Sequence, residues 1–196
     1  VAPLEMALNN GKHPLMNWKL GPETGIIEND DFRTFDDFWK AFKGQCEFLF
    51  EQSVIGNNQL GTIYQQHQPA PLLSSMIAGC IKSGRGATRG GAQYNSSGVS
   101  VIGMADVVDS LMAIKKIVFD EKICSFAEMK EAIDGNFAGH SKLHAIVKTK
   151  APRFGSGNDE AVEMANSVTA LVHDYFAGHK NYRGGQHATG WWSMAN

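Results

Sequence analysis

The chain has 196 residues, of which 43% are hydrophobic and 19% charged, and its formal net charge is −2. That length is enough for one domain with a sizeable core, and the composition is that of an ordinary globular protein. The nearly balanced charge, without a basic cluster, argues against nucleic acid or an anionic membrane as a partner. No apolar run approaches the roughly 20 residues that a membrane span needs, and we do not expect the N-terminal stretch to be a signal peptide.

The cysteines do not form a recognisable framework. Cys46, Cys80 and Cys124 are odd in number, lie far apart and include no CxxC pair. A disulfide framework or a zinc knuckle is therefore not expected, and a reducing cytoplasm fits this cysteine usage best.

The first long helix is predicted at TFDDFWKAF, where Thr34 and Asp37 form a capping pair. It follows a helix tail at residues 4–10, closed by Gly11, and a loop at 14–31. Gly56 is expected to weaken the long helix before Pro69 stops it. Its apolar residues recur at helical spacing and form one broad face: Phe35, Phe38, Trp39, Phe42, Cys46, Leu49 and Phe50.

In the middle of the chain, the sequence predicts one short helix, a glycine-rich loop, a buried strand and an apolar helix. The short helix covers PLLSSMIAGCIKSG, with Pro71 near its start and Gly84 at its end. The loop at 85–98 leads into VSVIG, which favours a strand. Residues 105–119 are apolar on most sides, a pattern typical of a helix enclosed in a larger protein.

The last third predicts three helices and a terminal strand. Ser125 and Glu128 form a capping box, residues 140–150 form a short helix ended by Pro152, and a long helix runs from Asp159 to about 178. The predicted core stripe of the long helix is Val162, Ala165, Val168, Leu171, Val172 and Tyr175. The final TGWWSMAN reads as a strand whose apolar groups lack a cover, so we interpret the chain as a segment of a longer one.

The loop GGAQYNSSG before an apolar helix admits three interpretations: a phosphate cradle, a structural turn or part of an active-site wall. Neither a GxxxxGK[ST] nor a GxGxxG motif is present, and Asp106 at the helix start would repel an anion. A phosphate-binding domain built on Gly90 and Gly91 remains the weaker alternative. A turn is favoured because paired glycines permit positive φ and close backbone approach.

The other candidate groups have simpler explanations than catalysis. His140 and His144 are one helical turn apart, but a third metal ligand is missing and a solvated pair is favoured. Cys80 lies on an apolar stripe with Ile77 and Ile81, which favours inert packing. Asp106 and Asp109 fit stabilisation of a helix N-terminus. We therefore predict no metal site.

The terminal tryptophans are the candidate pocket residues. In a strand, Trp191 and Trp192 point to opposite faces, so that one can line a pocket while the other packs. From the residues alone, the chain is a helix-rich piece of a large α/β protein without a complete catalytic site. A non-enzymatic helical interaction module is the alternative of another class.

Several stretches, in order along nearly the whole chain, resemble the glycyl radical enzymes, the pyruvate formate-lyase-like family. They are LEMALNNG, LGPETG, TFDDFWKAFKGQ, GGAQYNSSG, ADVVDSLMAIKKIVFDEK, APRFGSGNDEA and WWSMAN. The resemblance implies that residues 1–196 are part of one such domain, without separate domains. It further implies a helix-rich, incomplete part of a ten-stranded α/β barrel in which the glycine-rich loop and following helix build the wall.

In this family, anaerobic thiyl-radical chemistry forms or breaks C–C or C–X bonds. The resemblance implies a radical stored on a glycine and passed to a cysteine, a radical-SAM activating enzyme as partner, a small-molecule substrate and a homodimer. The family's Gly-Cys-x-Glu and radical-glycine motifs are absent here. GCIK places Lys82 where that glutamate belongs, so Cys80 is not assigned, no residue of this chain is assigned to catalysis or cofactor binding, and the chain alone is expected to be inactive.

Within the family, the reaction subtype is inferred from the terminal tryptophans. Trp191 and Trp192 suit a bulky or apolar substrate, which favours a fumarate-adding alkyl- or arylsuccinate synthase. A decarboxylase, a dehydratase or a C–N lyase is the alternative.

Overall fold

The structure, a computed structural model, describes residues 1–16, 18–24 and 32–192. The helices are α1 (Ala2–Leu8), α2 (Phe35–His67), α3 (Pro71–Met76), α4 (Cys80–Ser83), α5 (Met104–Ile114), α6 (Phe126–Asp134), α7 (Ser141–Lys150) and α8 (Asp159–Ala177). Two strands, β1 (Ser97–Ile102) and β2 (His187–Trp192), pair in parallel. The protein is thus helix-rich with one small sheet in the described part.

The chain divides into two compact units. Among the described residues, the first contains Val1–Phe48 and Gly103–Ala170, and the second contains Leu49–Ile102 and residues 171–192. Helices α2 and α8 each contribute residues to both units. Both strands belong to the second unit.

The first unit has a dense apolar core. Phe38, Val108, Leu111 and Ile117 are 0% exposed. Phe38 makes ring contacts with Phe32 and Phe126 at centroid distances of 5.2 and 5.4 Å. Burial of such aromatic groups removes large apolar areas from water, so this core provides the main stabilisation of the unit.

The second unit has a smaller core. Val54 of α2 packs with Val172 and Phe176 of α8, and half-buried side chains surround them. The ring of Phe50 lies 5.1 Å from that of Phe176. Many large side chains of this unit stay exposed, among them Leu60, Ile63, Tyr64, Leu72, Leu73, Met76 and Ile81.

Helix α2 confirms its predicted start and corrects its predicted weak point. The Asp37 N–H donates to the Thr34 hydroxyl at 3.2 Å, as the capping pair requires. The helix continues through Gly56 for 33 residues. An interior glycine costs about 1 kcal/mol, and the packing of Val54 and of the Tyr182 ring, which lies against Gly61, offsets that cost.

The predicted single helix at residues 71–84 is wrong, because the chain breaks between α3 and α4. Ile77 is extended and Gly79 has a φ of 98°. The Ala78 carbonyl accepts a hydrogen bond from the Gln93 N–H at 2.9 Å, outside any helix. This tertiary bond explains the break. Gly84 ends α4 with a φ of 64°, as predicted.

The apolar helix at 105–119 is two segments, α5 and a π-helix at Lys115–Asp120. In a π-helix, residues five apart come together. Lys115 accordingly pairs with Asp120 at 2.9 Å, and Lys116 with Glu121 at 3.7 Å. The predicted burial is confirmed, since Ile117 and Val118 are enclosed.

The remaining helices agree with the sequence except at the end of α1, which stops at Leu8 and not at residue 10, and at one position of α8. The capping box of α6 is present, with the Glu128 N–H donating to the Ser125 hydroxyl at 3.1 Å. In α8, Ala165, Val168 and Val172 are buried, whereas Val162 is 43% exposed and was wrongly placed in the core stripe. Residues 17 and 25–31 of the predicted loop and residues 193–196 of the terminal stretch lie outside the described residues.

Candidate functional site

The parallel pair β1–β2 brings the predicted pocket residues next to the segment after the glycine-rich loop. Ser97 is in register with His187, Val101 with Trp191 and Ile102 with Trp192. The two strands therefore start together and end together. Successive side chains alternate between the two faces of this sheet.

One face of the sheet is packed. Val99, Val101 and Trp191 lie against the core formed by Val54, Val172 and Phe176. Trp191 is thus a packing residue of the second unit. Its half-buried indole anchors the end of β2.

The opposite face is open, and we call it the open face. It consists of Gly98, Ser100 and Ile102 of β1 with their register partners Ala188, Gly190 and Trp192 of β2. All are exposed except Gly190, which is half-buried. Its side chains are small along most of the strands and large at the carboxyl ends. None of the six residues carries a charge.

The carboxyl end of the open face is formed by two large apolar side chains. Trp192 is 64% exposed and Ile102 is 53% exposed. A Cβ atom on Gly190 would lie 3.3 Å from Nε1 of Trp192, so the nitrogen edge of the indole is next to Gly190. The prediction that the two tryptophans occupy opposite faces is confirmed, with Trp191 on the packed face and Trp192 on the exposed one.

The glycine-rich loop is a structural turn that supports β1. Gly90 has a φ of 74°, and a Cβ there would lie 2.7 Å from the carbonyl oxygen of Arg183. A Cβ on Gly91 would overlap the carbonyl of Arg85, and one on Gly185 would overlap that of Asn95. Carbonyl oxygens beside both loop glycines repel anions, which argues against the phosphate interpretation.

Asn181 joins this loop to β2, and we call its contacts the Asn181 hub. The side chain is 4% exposed. Its Nδ2 donates to the Asn95 carbonyl at 2.6 Å and to Ser97 Oγ at 2.9 Å, while its Oδ1 accepts from the N–H groups of Arg183 at 2.9 Å and Gly185 at 3.0 Å. The hub fixes where the two strands begin.

His187 is a buried titratable group at the start of β2. It is 7% exposed, and neither ring nitrogen has a hydrogen-bond partner among the described residues. Its ring centroid lies 5.9 Å from that of Phe176. Burial lowers its pKa below the ordinary value, and the nearby His179 adds to this effect. Both effects favour the neutral form of the imidazole.

The histidine pair and the aspartate pair do not form a site. The His144 ring stacks on Phe137 at 4.6 Å, and His140 precedes α7. Within residues 1–16, 18–24 and 32–192, no group of three or more His, Cys, Asp or Glu side chains is placed to hold a metal ion. Asp106 is exposed, and Asp109 accepts the Phe154 N–H at 2.7 Å, a role in loop anchoring.

The cysteines are packing groups. Cys80 is 4% exposed, as the packing interpretation predicts, although the proposed stripe is wrong at Ile81, which is 78% exposed. Burial raises the pKa of the Cys46 thiol to about 12. Burial also raises the pKa of Cys124. These shifts suppress the nucleophilic thiolate form.

Asn181, His187 and Gly190 were not identified from the sequence. A lone asparagine after a helix has no local pattern that reveals contacts with residues 95 and 97. A glycine between a threonine and two tryptophans indicates a close approach of some group, and the structure shows that this group is Trp192.

Comparison with known proteins places the chain in context. The family model described as pyruvate formate lyase-like matches residues 1–196. Trans-4-hydroxy-L-proline dehydratase of Clostridioides difficile is 33% identical over 94% of this chain and 23% of its own length. (2S)-3-sulfopropanediol dehydratase of Klebsiella oxytoca is 33% identical over 97% of this chain and 23% of its own length.

Solved structures agree with the sequence matches. The crystal structure of the Clostridioides difficile hydroxyproline dehydratase, with trans-4-hydroxy-L-proline bound, gives a TM-score of 0.92 at 32% identity and covers 96% of this chain and 24% of that one. A glycyl radical enzyme from Archaeoglobus fulgidus gives 0.87 at 31% identity, covering 96% of this chain and 23% of that one. The chain thus spans about a quarter of the length of these proteins.

No helix in the described part of the chain combines the length and the hydropathy needed to cross a membrane.

Proposed function

Because this chain belongs to the pyruvate formate lyase-like family of glycyl radical enzymes, we propose that it is a segment of a longer glycyl radical dehydratase. The observation that carries this proposal is the match to hydroxyproline dehydratase in both sequence and structure over almost the whole chain. The fumarate-adding synthase favoured by the tryptophans has no support in these comparisons. The alternative that included a dehydratase is the one they favour.

We infer that β1 and β2 belong to the ten-stranded barrel implied by the family resemblance. Parallel strands covered by helices on one side are the arrangement of α/β barrels. In the second unit, α2 and α8 cover the packed face through Val54, Val172 and Phe176. The open face then corresponds to the barrel interior, where the substrate would bind.

The open face supplies one wall of the proposed substrate cavity. Trp192 and Ile102 would line it at the carboxyl ends of the strands, and Ser100 would offer a hydroxyl group. Trp191, also predicted from the sequence to line the pocket, is assigned to packing because it lies against the core. The residues that form this wall would bind and orient the substrate; they would not transfer protons or electrons.

The radical chemistry would be performed by residues outside this chain. The resemblance assigns hydrogen abstraction to a cysteine followed by x-Glu and radical storage to a glycine, and neither motif occurs among the 196 residues. We propose that a radical-SAM enzyme activates the longer protein, that the longer protein is a homodimer, and that these residues alone are inactive.

The test uses the full-length protein encoded by the gene that contains this chain. After anaerobic incubation with a radical-SAM activating enzyme, S-adenosylmethionine and reductant, electron paramagnetic resonance should show the doublet of a glycyl radical. Exposure to oxygen should remove the signal. Failure to form a radical under conditions that activate a related dehydratase would overturn the proposal.

A further inference from the structure

We propose that Trp192, seated beside Gly190, makes the open face select for the uncharged hydrocarbon end of the substrate. This inference rests on the proposed function, since it takes the open face as a wall of the substrate cavity. The substrate class is a small alcohol whose end opposite the reacting carbons is apolar.

The first support for this inference is that the wall carries no charge. Gly98, Ser100, Ile102, Ala188, Gly190 and Trp192 include no cation and no anion. An anionic group placed against this wall would lose water without gaining a charged partner, which is costly. A hydrocarbon group would instead bury apolar surface against Trp192 and Ile102.

The position of the indole carries the second step. Its Nε1 edge lies 3.3 Å from where a Gly190 Cβ would be, yet the side chain as a whole is 64% exposed. The polar nitrogen therefore lies beside the strand backbone, and the carbon surface of the ring is what a ligand meets. A Cβ at position 190 would push the ring away by a few tenths of an ångström, and a longer side chain would push it further.

The third support for this inference is the space at the amino-terminal part of the open face. A Cβ on Gly98 would meet no atom within 4 Å, and its partner Ala188 has the smallest side chain after glycine. The amino-terminal part of the open face thus leaves space, and the carboxyl-terminal part presents bulk. A ligand on this face would meet large apolar side chains at one end only.

Three compounds that share a 1,2-diol unit, called the diols below, test the inference because they differ only in the substituent on carbon 3. 1,2-Propanediol carries hydrogen there, glycerol a hydroxyl group and 3-sulfopropane-1,2-diol a sulfonate. Their dissociation constants are measured by calorimetry on the full-length, unactivated protein, so that the ranking does not depend on radical formation. We expect 1,2-propanediol to bind most tightly, roughly tenfold more tightly than the sulfonate.

Variants assign the ranking to the wall. Trp192→Ala should reduce the preference for 1,2-propanediol over glycerol at least threefold, and Trp192→Arg should shift the preference toward the sulfonate. Gly190→Ala should act in the same direction as Trp192→Ala. Trp191→Phe is the matched control in the neighbouring packed position and should keep the wild-type ranking. If Trp192→Ala unfolds by circular dichroism, Ile102→Ser serves in its place.

The outcomes separate the two proposals. Tightest binding of the sulfonate, a ranking unchanged in Trp192→Ala, or no binding of any of the three diols would overturn the substrate inference. Each of these results leaves the proposed function standing if the activated protein shows a glycyl radical. Absence of the radical, with the expected diol ranking, would instead overturn the proposed function.

Discussion

The two units of the chain are stabilised in different ways. The first unit encloses several large apolar side chains completely, including Phe38, Phe126 and Leu111. The second has a core of three buried apolar residues, and its loops are joined by the Asn181 hub and by glycines that touch backbone carbonyls. The comparison teaches that the proposed site is held by hydrogen bonds and backbone contacts and less by a core.

The largest loss of stability is expected when a buried phenylalanine is replaced by alanine, and we make this change once in each unit. Phe38→Ala removes a ring that is 0% exposed and touches Phe32, Phe35 and Phe126, so it should lower the free energy of unfolding by about 3–5 kcal/mol. Phe176→Ala should cost about 2–3 kcal/mol, because half-buried groups surround that ring and can relax. Guanidinium denaturation of the longer protein measures both; a larger loss for Phe176→Ala contradicts the comparison.

An intermediate effect is expected at the hub. Asn181→Ala leaves the Asn95 carbonyl and the N–H groups of Arg183 and Gly185 without their partner, which should cost about 2–3 kcal/mol. Asn181→Asp retains the acceptor for both N–H groups but replaces the donor to Asn95, so it separates the two halves of the hub.

Hydrogen exchange of the β1 and β2 amides measures the hub directly. Both variants should speed exchange in the strands and leave exchange in α5 and α6 unchanged. Equal acceleration in both units would show that the second unit does not depend on the hub.

The smallest effect is expected from pH. Because burial lowers the pKa of His187, the unfolded chain binds its proton at a higher pH than the folded chain does. The contribution of His187 to the free energy of unfolding is therefore fully present above about pH 6.5, the ordinary histidine pKa. It is lost as the pH falls from there toward the pKa of the folded state. One proton gives a slope of at most about 1.4 kcal/mol per pH unit.

Thermal melting between pH 5.5 and 7.5 checks this expectation. His187→Leu should flatten the dependence, while a matched change at the exposed His173 should retain it. A dependence that persists in His187→Leu would mean that another group is responsible.

The sequence predicted most of the first unit because local patterns decide its elements. The capping pair of α2, the capping box of α6 and the apolar face around Phe38 are all short-range features, and each agrees with the structure. A strand at VSVIG was predicted as buried, whereas β1 alternates between half-buried and exposed residues, since one of its faces is open. The alternation of Trp191 and Trp192 followed from the period of two in a strand.

Features of the second unit were missed because they depend on residues far apart in the chain. The break before Gly79 follows from a bond between Gln93 and Ala78, and the hub joins residue 181 to residues 95 and 97. In the first unit, the π-helix at Lys115–Asp120 was missed for another reason, since its apolar residues fit an α-helical period equally well at this length. Val162 could have been placed correctly, because the buried residues of α8 recur at a helical period that excludes it: Ala161, Ala165, Val168, Val172 and Phe176.

The parallel pairing of β1 with β2 has a consequence for how the protein is made. Ser97 and its partner His187 are separated by about 90 residues, so at a synthesis rate of about 5–20 residues per second β1 leaves the ribosome several seconds before β2 exists. During that interval β1 cannot pair with β2, because α5 to α8 lie between the two strands in the chain and are translated before β2. Pairing across such a sequence separation closes late and slowly. Nascent β1 therefore exposes unpaired backbone N–H and C=O groups toward β2's position for several seconds, which is the condition that favours pairing with other chains.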